Sequence, residues 1–333
     1  MVHLLKQLTE RVESSWYQDR WWNVWLLPLS GLFFLLSHGR RLWLTHIRKA
    51  QKNNSIPVVV IGNITIGGTG KTPLTCTLVT LLRERGIKVG IISRGYGSNA
   101  PQYPYALAYG EAAAIVGDEP KLLRDRLNCP VVIGSDRNAA IKLLCKKNVN
   151  LILSDDGLQH YKMARDYEIV VLDKTRQLGN GWLLPAGPLR EGVWRLKQVS
   201  AVVVNGSEGC QGMSISPKAW VNAKTGLRKP LGYFSGTSLH ALAGIGNPQR
   251  FFTTLDDLGV VHQDHVFIDH HAFIPQDLQL ADDFSRQLVM TEKDWVKCAS
   301  FVDDSMWYLE IDADLNSELE IKLIDDLAQL VEG

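Results

Sequence analysis

Eight consecutive residues, Thr65-Ile66-Gly67-Gly68-Thr69-Gly70-Lys71-Thr72, carry the clearest chemistry in the chain. They follow an apolar, β-branched run (residues 55–62) and precede a stretch, 72–82, whose pattern predicts a helix with Pro73 in its first turn. Strand, glycine-rich turn and helix in that order form a phosphate-binding loop. The glycines let backbone N–H groups face an anion, and the helix N-terminus adds a favourable dipole. Lys71 would reach the β- and γ-phosphates of a nucleotide, and Thr72 would ligate Mg²⁺. The strict pattern opens on glycine where this chain has Thr65; Gly67 and Gly68 supply the flexibility instead.

A second feature completes the nucleotide chemistry. Leu151-Ile152-Leu153-Ser154-Asp155-Asp156 reads as a strand delivering two carboxylates to its C-terminal end, where a metal-holding aspartate sits in P-loop enzymes. Read alone, the pair is better taken as two surface aspartates at a strand-to-turn junction with Gly157. Together with the loop it implies ATP and Mg²⁺, with Asp155 and Asp156 toward the metal.

Transfer to an alcohol needs a base, and water must be kept away. Gly117-Asp118-Glu119-Pro120 places adjacent carboxylates at a turn, where they also suit a helix N-terminus. Asp269-His270-His271 follows the apolar Val266-Phe267-Ile268, and an Asp–His pair can share a proton. A zinc site there is conceivable, but no third ligand lies at metal spacing.

The elements that must position these residues alternate. Short apolar strands are expected at 55–62, 88–92, 131–133, 149–153, 169–172 and 201–204. Helices are expected at 72–82, 120–127 and from a cap at Ser135 or Asp136 to 147. This is an α/β pattern with a mainly parallel sheet sandwiched by helices. At 333 residues two domains are expected: a core over 51–230 and a smaller α/β domain over 231–333, with Gly/Ser/Pro-rich text at 205–232 as the boundary region. The last helix is expected to be capped by Ser317, with Leu319, Leu323, Leu327 and Leu330 inward.

The net charge of +1 gives no global field for nucleic acid, and five scattered cysteines without a C-x-x-C pair point to neither disulfides nor thiolate zinc. Charge is nonetheless polarised. No Asp or Glu occurs between Asp19 and Glu84, whereas ten acidic residues and the single base Lys322 lie from Asp303 onward. The first 50 residues read as a membrane-associating helical segment. Seventeen uncharged residues (21–37) are preceded by clustered Trp and followed by Arg40-Arg41. As a helix they would be about 25 Å long, short of the hydrocarbon core. Pro28 and Gly31 weaken a straight span further, so a monotopic anchor on the cytoplasmic side is favoured over a single span or a buried core helix.

Several motifs together resemble the tetraacyldisaccharide 4'-kinases, the lipid A 4'-kinases of Gram-negative bacteria. They are Gly62-Asn63-Ile64-Thr65 running into the loop, Ser93-Arg94-Gly95-Tyr96-Gly97, Gly117-Asp118-Glu119-Pro120 and Ser154-Asp155-Asp156-Gly157-Leu158-Gln159-His160. Pro185-Ala186-Gly187-Pro188-Leu189-Arg190-Glu191, Asp269-His270-His271 and Thr291-Glu292-Lys293-Asp294 complete the set. The resemblance implies a Mg²⁺-dependent kinase at the cytoplasmic face of the inner membrane. It would move the γ-phosphate of ATP to the 4'-hydroxyl of a tetraacylated glucosamine disaccharide 1-phosphate, the lipid A precursor. It further implies Asp118 as base in a dyad with His270, Lys71 as the loop lysine, and Thr72, Glu119, Asp155 and Asp156 at metal or acidic positions. Arg94, Gln159, His160 and Arg190 are substrate-side candidates, the two arginines toward the 1-phosphate. A P-loop ligase that activates a carboxylate and a membrane switch ATPase are the competing classes.

Overall fold

The computed structural model describes residues 11–18, 21–47, 55–269, 271–280 and 285–332. A helical stretch over 11–15 (α1) is followed by a 3₁₀ segment at Trp21–Leu26 and by α2 (Leu27–Leu42), which runs into a π-helical turn at Trp43–Ile47. Pro28 stands in the first turn of α2, where its missing N–H costs nothing. Among the described residues no helix is long and apolar enough to cross a membrane. Nor is α2 a core helix, since only Ser30 along it is buried.

The central layer is laid down by β1 (Val58–Gly62), α3 (Lys71–Glu84), β2 (Val89–Ser93), β3 (Tyr105–Ala106), α4 (Ala113–Val116), α5 (Asp118–Leu127), β4 (Val131–Ile133), α6 (Arg137–Leu144), β5 (Leu151–Asp155), β6 (Tyr167–Asp173) and β7 (Ala201–Asn205). Strands β4, β2, β5, β1, β6 and β7 are neighbours in that order and all parallel. Their apolar runs are buried on both faces because helices cover each side, so they read as continuous hydrophobic text. Asp136 caps α6 by accepting from Asn138 N and Ala139 N.

The rest comprises β8 (Gly212–Asn222), β9 (Arg228–Lys229), β10 (Ser238–Ala243), α7 (Pro248–Asp257), β11 (Val261–Val266), β12 (Leu288–Thr291), α8 (Glu292–Cys298), β13 (Met306–Leu315) and α9 (Ser317–Glu332). The text at 205–232, weakly periodic by sequence, contains the 11-residue β8. β8 starts parallel to β7 and then runs antiparallel to β13, with a bulge opposite Glu310 and Ile311. Strands β13, β12, β10 and β11 are mutually parallel, so strand sense reverses at β8 while the hydrogen-bonded sheet stays continuous.

The chain ends back on the phosphate-loop half. Leu319, Leu323, Ile324 and Leu327 of α9 join the core formed by Leu74, Leu78 and Leu82 of α3, and Leu330 packs at its margin. Asn316, not Ser317, provides the cap: its Oδ1 accepts from Glu318 N at 3.0 Å. Ser317 is already the first helical residue, and an N-cap must lie one position earlier, in non-helical backbone.

Candidate active site

Parallel strands open their C-terminal ends toward one edge, and the chemistry collects there, as expected of α/β sheets. The loop after β1 is held from outside. Ile66 N donates to Pro188 O at 2.9 Å, Arg190 N donates to Ile64 O at 2.7 Å, and Thr65 bridges Leu189. Asn63 Nδ2 donates to Gly67 O, and Gln159 Nε2 donates to Asn63 O at 3.0 Å. Gln159 therefore braces the turn that enters the loop. Asn205, at the end of β7, donates from Nδ2 to Thr69 O. Gly70 is required: at φ +96° a Cβ would lie 2.7 Å from Met213 Cε. Lys71 is the first residue of α3 and Thr72 the second, so both stand at the helix end where an anion is favoured.

Asp155 terminates β5 and Asp156 follows it in the turn. Lys71 Nζ lies 3.5 Å from Asp156 Oδ1, and Arg190 Nη1 lies 3.5 Å from Asp156 Oδ2. Burial pushes the Asp156 carboxyl up, but Lys71 and Arg190 outweigh it and hold it below the usual range. Asp155 is 2% exposed and its Oδ1 has no hydrogen-bond partner among the described residues. Burial first and the Glu119 carboxylate second push its pKa up to about 7, with Lys71 opposing.

The Asp118–Glu119 turn begins α5. Gly117 precedes it at φ +89°, where a Cβ would meet Tyr96 O at 2.7 Å, so the Ser93–Gly97 turn and the α5 N-terminus fit closely. Glu119 accepts from Lys293 Nζ at 2.5 Å, and that ammonium chiefly holds it below the ordinary carboxylate range against burial. Asp118 is half-buried beside it. Asp269 ends the described stretch before residue 271, and His270 lies outside the described residues. His271 Nε2 pairs with Asp277 Oδ2 at 2.9 Å.

Among the substrate-side candidates, Arg190 sits in the acidic cluster against Asp156, and Arg94 is exposed directly after β2. His160 follows the Asp155–Asp156 turn. Burial first, then Arg137, Arg165 and Arg40, push its imidazole down to about 4, so it is neutral at physiological pH. Arg137, to which sequence reasoning gave no role, is buried and donates to Gly134 O at 3.0 Å and to Asp155 O at 3.4 Å. Asn205 escaped notice too, although its place at a strand's C-terminal end was a usable signal.

The residues fit a hard divalent cation. Asp155 offers an unpartnered buried carboxylate oxygen, and Thr72 a hydroxyl at the start of α3. Among the described residues no three His, Cys, Asp or Glu side chains form a ligand set by themselves. Mg²⁺ that borrows phosphate and water oxygens matches this sparse set, whereas zinc does not.

A sequence model of the tetraacyldisaccharide-1-P 4'-kinase family matches residues 22–328. A tetraacyldisaccharide 4'-kinase of Legionella pneumophila (strain Corby) is 45% identical over 308 residues, 92% of this chain and 94% of that protein. The chain belongs to the tetraacyldisaccharide 4'-kinase family. A family member from Azotobacter vinelandii (strain DJ) is 46% identical over 312 residues, 92% of this chain and 93% of its own. A crystal structure of LpxK from Aquifex aeolicus, an "apo" form in complex with ATP, superposes with a TM-score of 0.77 at 25% identity. It covers 93% of this chain and 99% of that one. Membership fixes this chain as an ATP-using kinase of lipid A biosynthesis with the α/β fold described above.

Proposed function

We propose that this chain transfers the γ-phosphate of ATP to the 4'-hydroxyl of a tetraacylated glucosamine disaccharide 1-phosphate at the cytoplasmic face of the inner membrane. The observation that carries the reading is the convergence of three separate turns: the phosphate loop, the Asp155–Asp156 turn and the Asp118–Glu119 turn. Backbone N–H groups of residues 65–72 hold the phosphates, and Lys71 stabilises the β- and γ-oxygens. Thr72 and Asp155 hold Mg²⁺, with Glu119 and Asp156 completing the acidic rim. The metal, when bound, neutralises charge on the transferring group. Asp118 takes the proton from the 4'-hydroxyl as its oxygen forms a bond to the γ-phosphorus. The bond to the bridging oxygen breaks and ADP leaves. His270 orients Asp118, and residues 231–333 close over the core to exclude water.

The acceptor is a lipid, and the surface next to the site suits one. Ser30 Oγ donates to Leu183 O at 2.8 Å and accepts from Ala186 N, docking α2 on the 183–186 segment. Arg41 lies over the Tyr161 and Trp194 rings, directly after His160. Elsewhere α2 is bare, with Leu32 53% and Leu35 68% exposed, and Trp21 and Trp25 of the preceding 3₁₀ segment are each 76% exposed. An apolar face with the exposed Arg40 at its end supports docking on anionic lipid without spanning it.

Mass spectrometry of the lipid product, with fragmentation to locate the new phosphate, tests the reading. A second phosphate on the 4' sugar is expected. A new phosphate elsewhere, or ADP release with unmodified lipid, would refute it.

A further inference from the structure

Thr291-Glu292-Lys293-Asp294 is a motif that the chemistry described above leaves without a role. Its two acids are both consumed in place. Asp294 is fully buried and accepts from Gly244 N at 3.0 Å, from the Thr291 hydroxyl at 2.6 Å and from Lys297 Nζ at 2.9 Å. Glu292 is buried against Arg126 at 2.8 Å, and Arg126 also donates to Ile311 O. Thr291 caps α8 by accepting from Asp294 N. The start of α8 is thereby fixed on both sides of Lys293, and its side chain is delivered into the active site. There it meets Glu119 at 2.5 Å, and the charges of Asp269 and Asp155 also favour its ammonium.

We propose that Lys293 is a second phosphate-contacting lysine, supplied by the C-terminal part of the chain, that leaves Glu119 to grip the γ-phosphate when the triphosphate binds. The inference deepens the kinase reading and rests on it. A lysine paired only to brace a helix would need no acidic neighbours beyond its partner, and a buried motif would not leave its middle residue a third exposed. Lys293 instead pairs with Glu119, whose carboxylate also feels Lys71, and Lys71 in turn pairs with Asp156 at the phosphate loop. A cation from each part of the sheet then flanks the transferring group, the arrangement that stabilises charge spread over its equatorial oxygens. Release of Glu119 from Lys293 frees that carboxylate for the metal in the same step.

Calorimetric titration of the full-length protein with ADP and with a β,γ-methylene ATP analogue, both with Mg²⁺, provides the test. For K293M, affinity for ADP should stay within about twofold, while the preference for the triphosphate analogue falls about tenfold; kcat for lipid phosphorylation should drop about 10²-fold with the lipid KM unchanged. K293R, which keeps the charge, should recover most of the triphosphate preference. An undiminished preference in K293M would overturn the proposal, as would an equal loss of ADP and analogue affinity, which would mark a structural brace. Where K293M does not fold, K293Q repeats the comparison with the same two outcomes. Failure of the wild type to phosphorylate the lipid would remove the acceptor assignment while leaving these nucleotide preferences readable.

Discussion

Residues 62–72 form one uninterrupted stretch held by backbone hydrogen bonds to residues 188 and 190, whereas Glu119 and Lys293 meet across 174 positions of sequence through long side chains. The two ends of the site therefore fail differently. At the loop end a side chain can be removed with little consequence for the scaffold, because the main chain carries the geometry. At the carboxylate end the contacts that shape the site also join α5 to α8, so chemistry and stability are coupled. Arg126 makes this concrete: Glu292, Asp312 and Ile311 O all converge on its guanidinium from the C-terminal part of the chain.

K71M is expected to cost about 10³-fold in kcat while leaving the melting temperature within a degree or two, because among the described residues Lys71 forms its ion pair with the partly exposed Asp156. A large fall in melting temperature would erase the distinction between the two ends. R126M should behave in the opposite way. It strands Glu292 in a buried site and should lower unfolding free energy by about 3 kcal/mol, read by denaturant titration, with a smaller effect on activity.

The third contrast sets the bare face of α2 against the site. Leu32→Ser together with Leu35→Ser should weaken partitioning onto vesicles containing anionic lipid about tenfold and leave stability unchanged, since both side chains are exposed. Turnover on detergent-dispersed lipid should be retained. Equal vesicle binding by the double variant would show that another surface meets the membrane.

The smallest effect is a pH slope. Burial pushes Glu292 up to about 7, with Glu310 and Asp312 adding to burial and Arg126 opposing both. Its unfolded pKa is about 4.3, so in the window between the two values the folded protein holds a proton that the unfolded chain releases. Stability from this group is thus full below the unfolded value and is lost as pH rises through about 7. E292Q should flatten that fall, measured as melting temperature from pH 5 to pH 8. An unchanged slope would place the proton elsewhere.

The same division explains what the sequence made legible. Thr65–Thr72, β1, β5 with its terminal Asp155, and the α5 turn are each contiguous, and local periodicity plus glycine spacing expose them. The uncharged run at 21–37 likewise declared itself, and Pro28 proved to start α2 instead of breaking it. β8 was hidden because Pro217, Lys218 and two serines blur its alternation, and because its register is set by β13, about 90 residues downstream. Asn316 lost out to Ser317 by a single position, within the ordinary uncertainty of helix ends. Lys293 was visible as part of a motif, but nothing local says that its flanking acids are taken up by Arg126, Thr291 and Gly244. Only the packing of α8 on α5 reveals that.

Transfer of labelled γ-phosphate from ATP to detergent-dispersed tetraacyl disaccharide 1-phosphate, with wild type beside K71M and D118N and free phosphate counted in parallel, tests the central claim most directly. Label is expected in the lipid with wild type alone, and neither variant should divert it to water. Label released as free phosphate by wild type without any in the lipid, or full transfer by D118N, would contradict it.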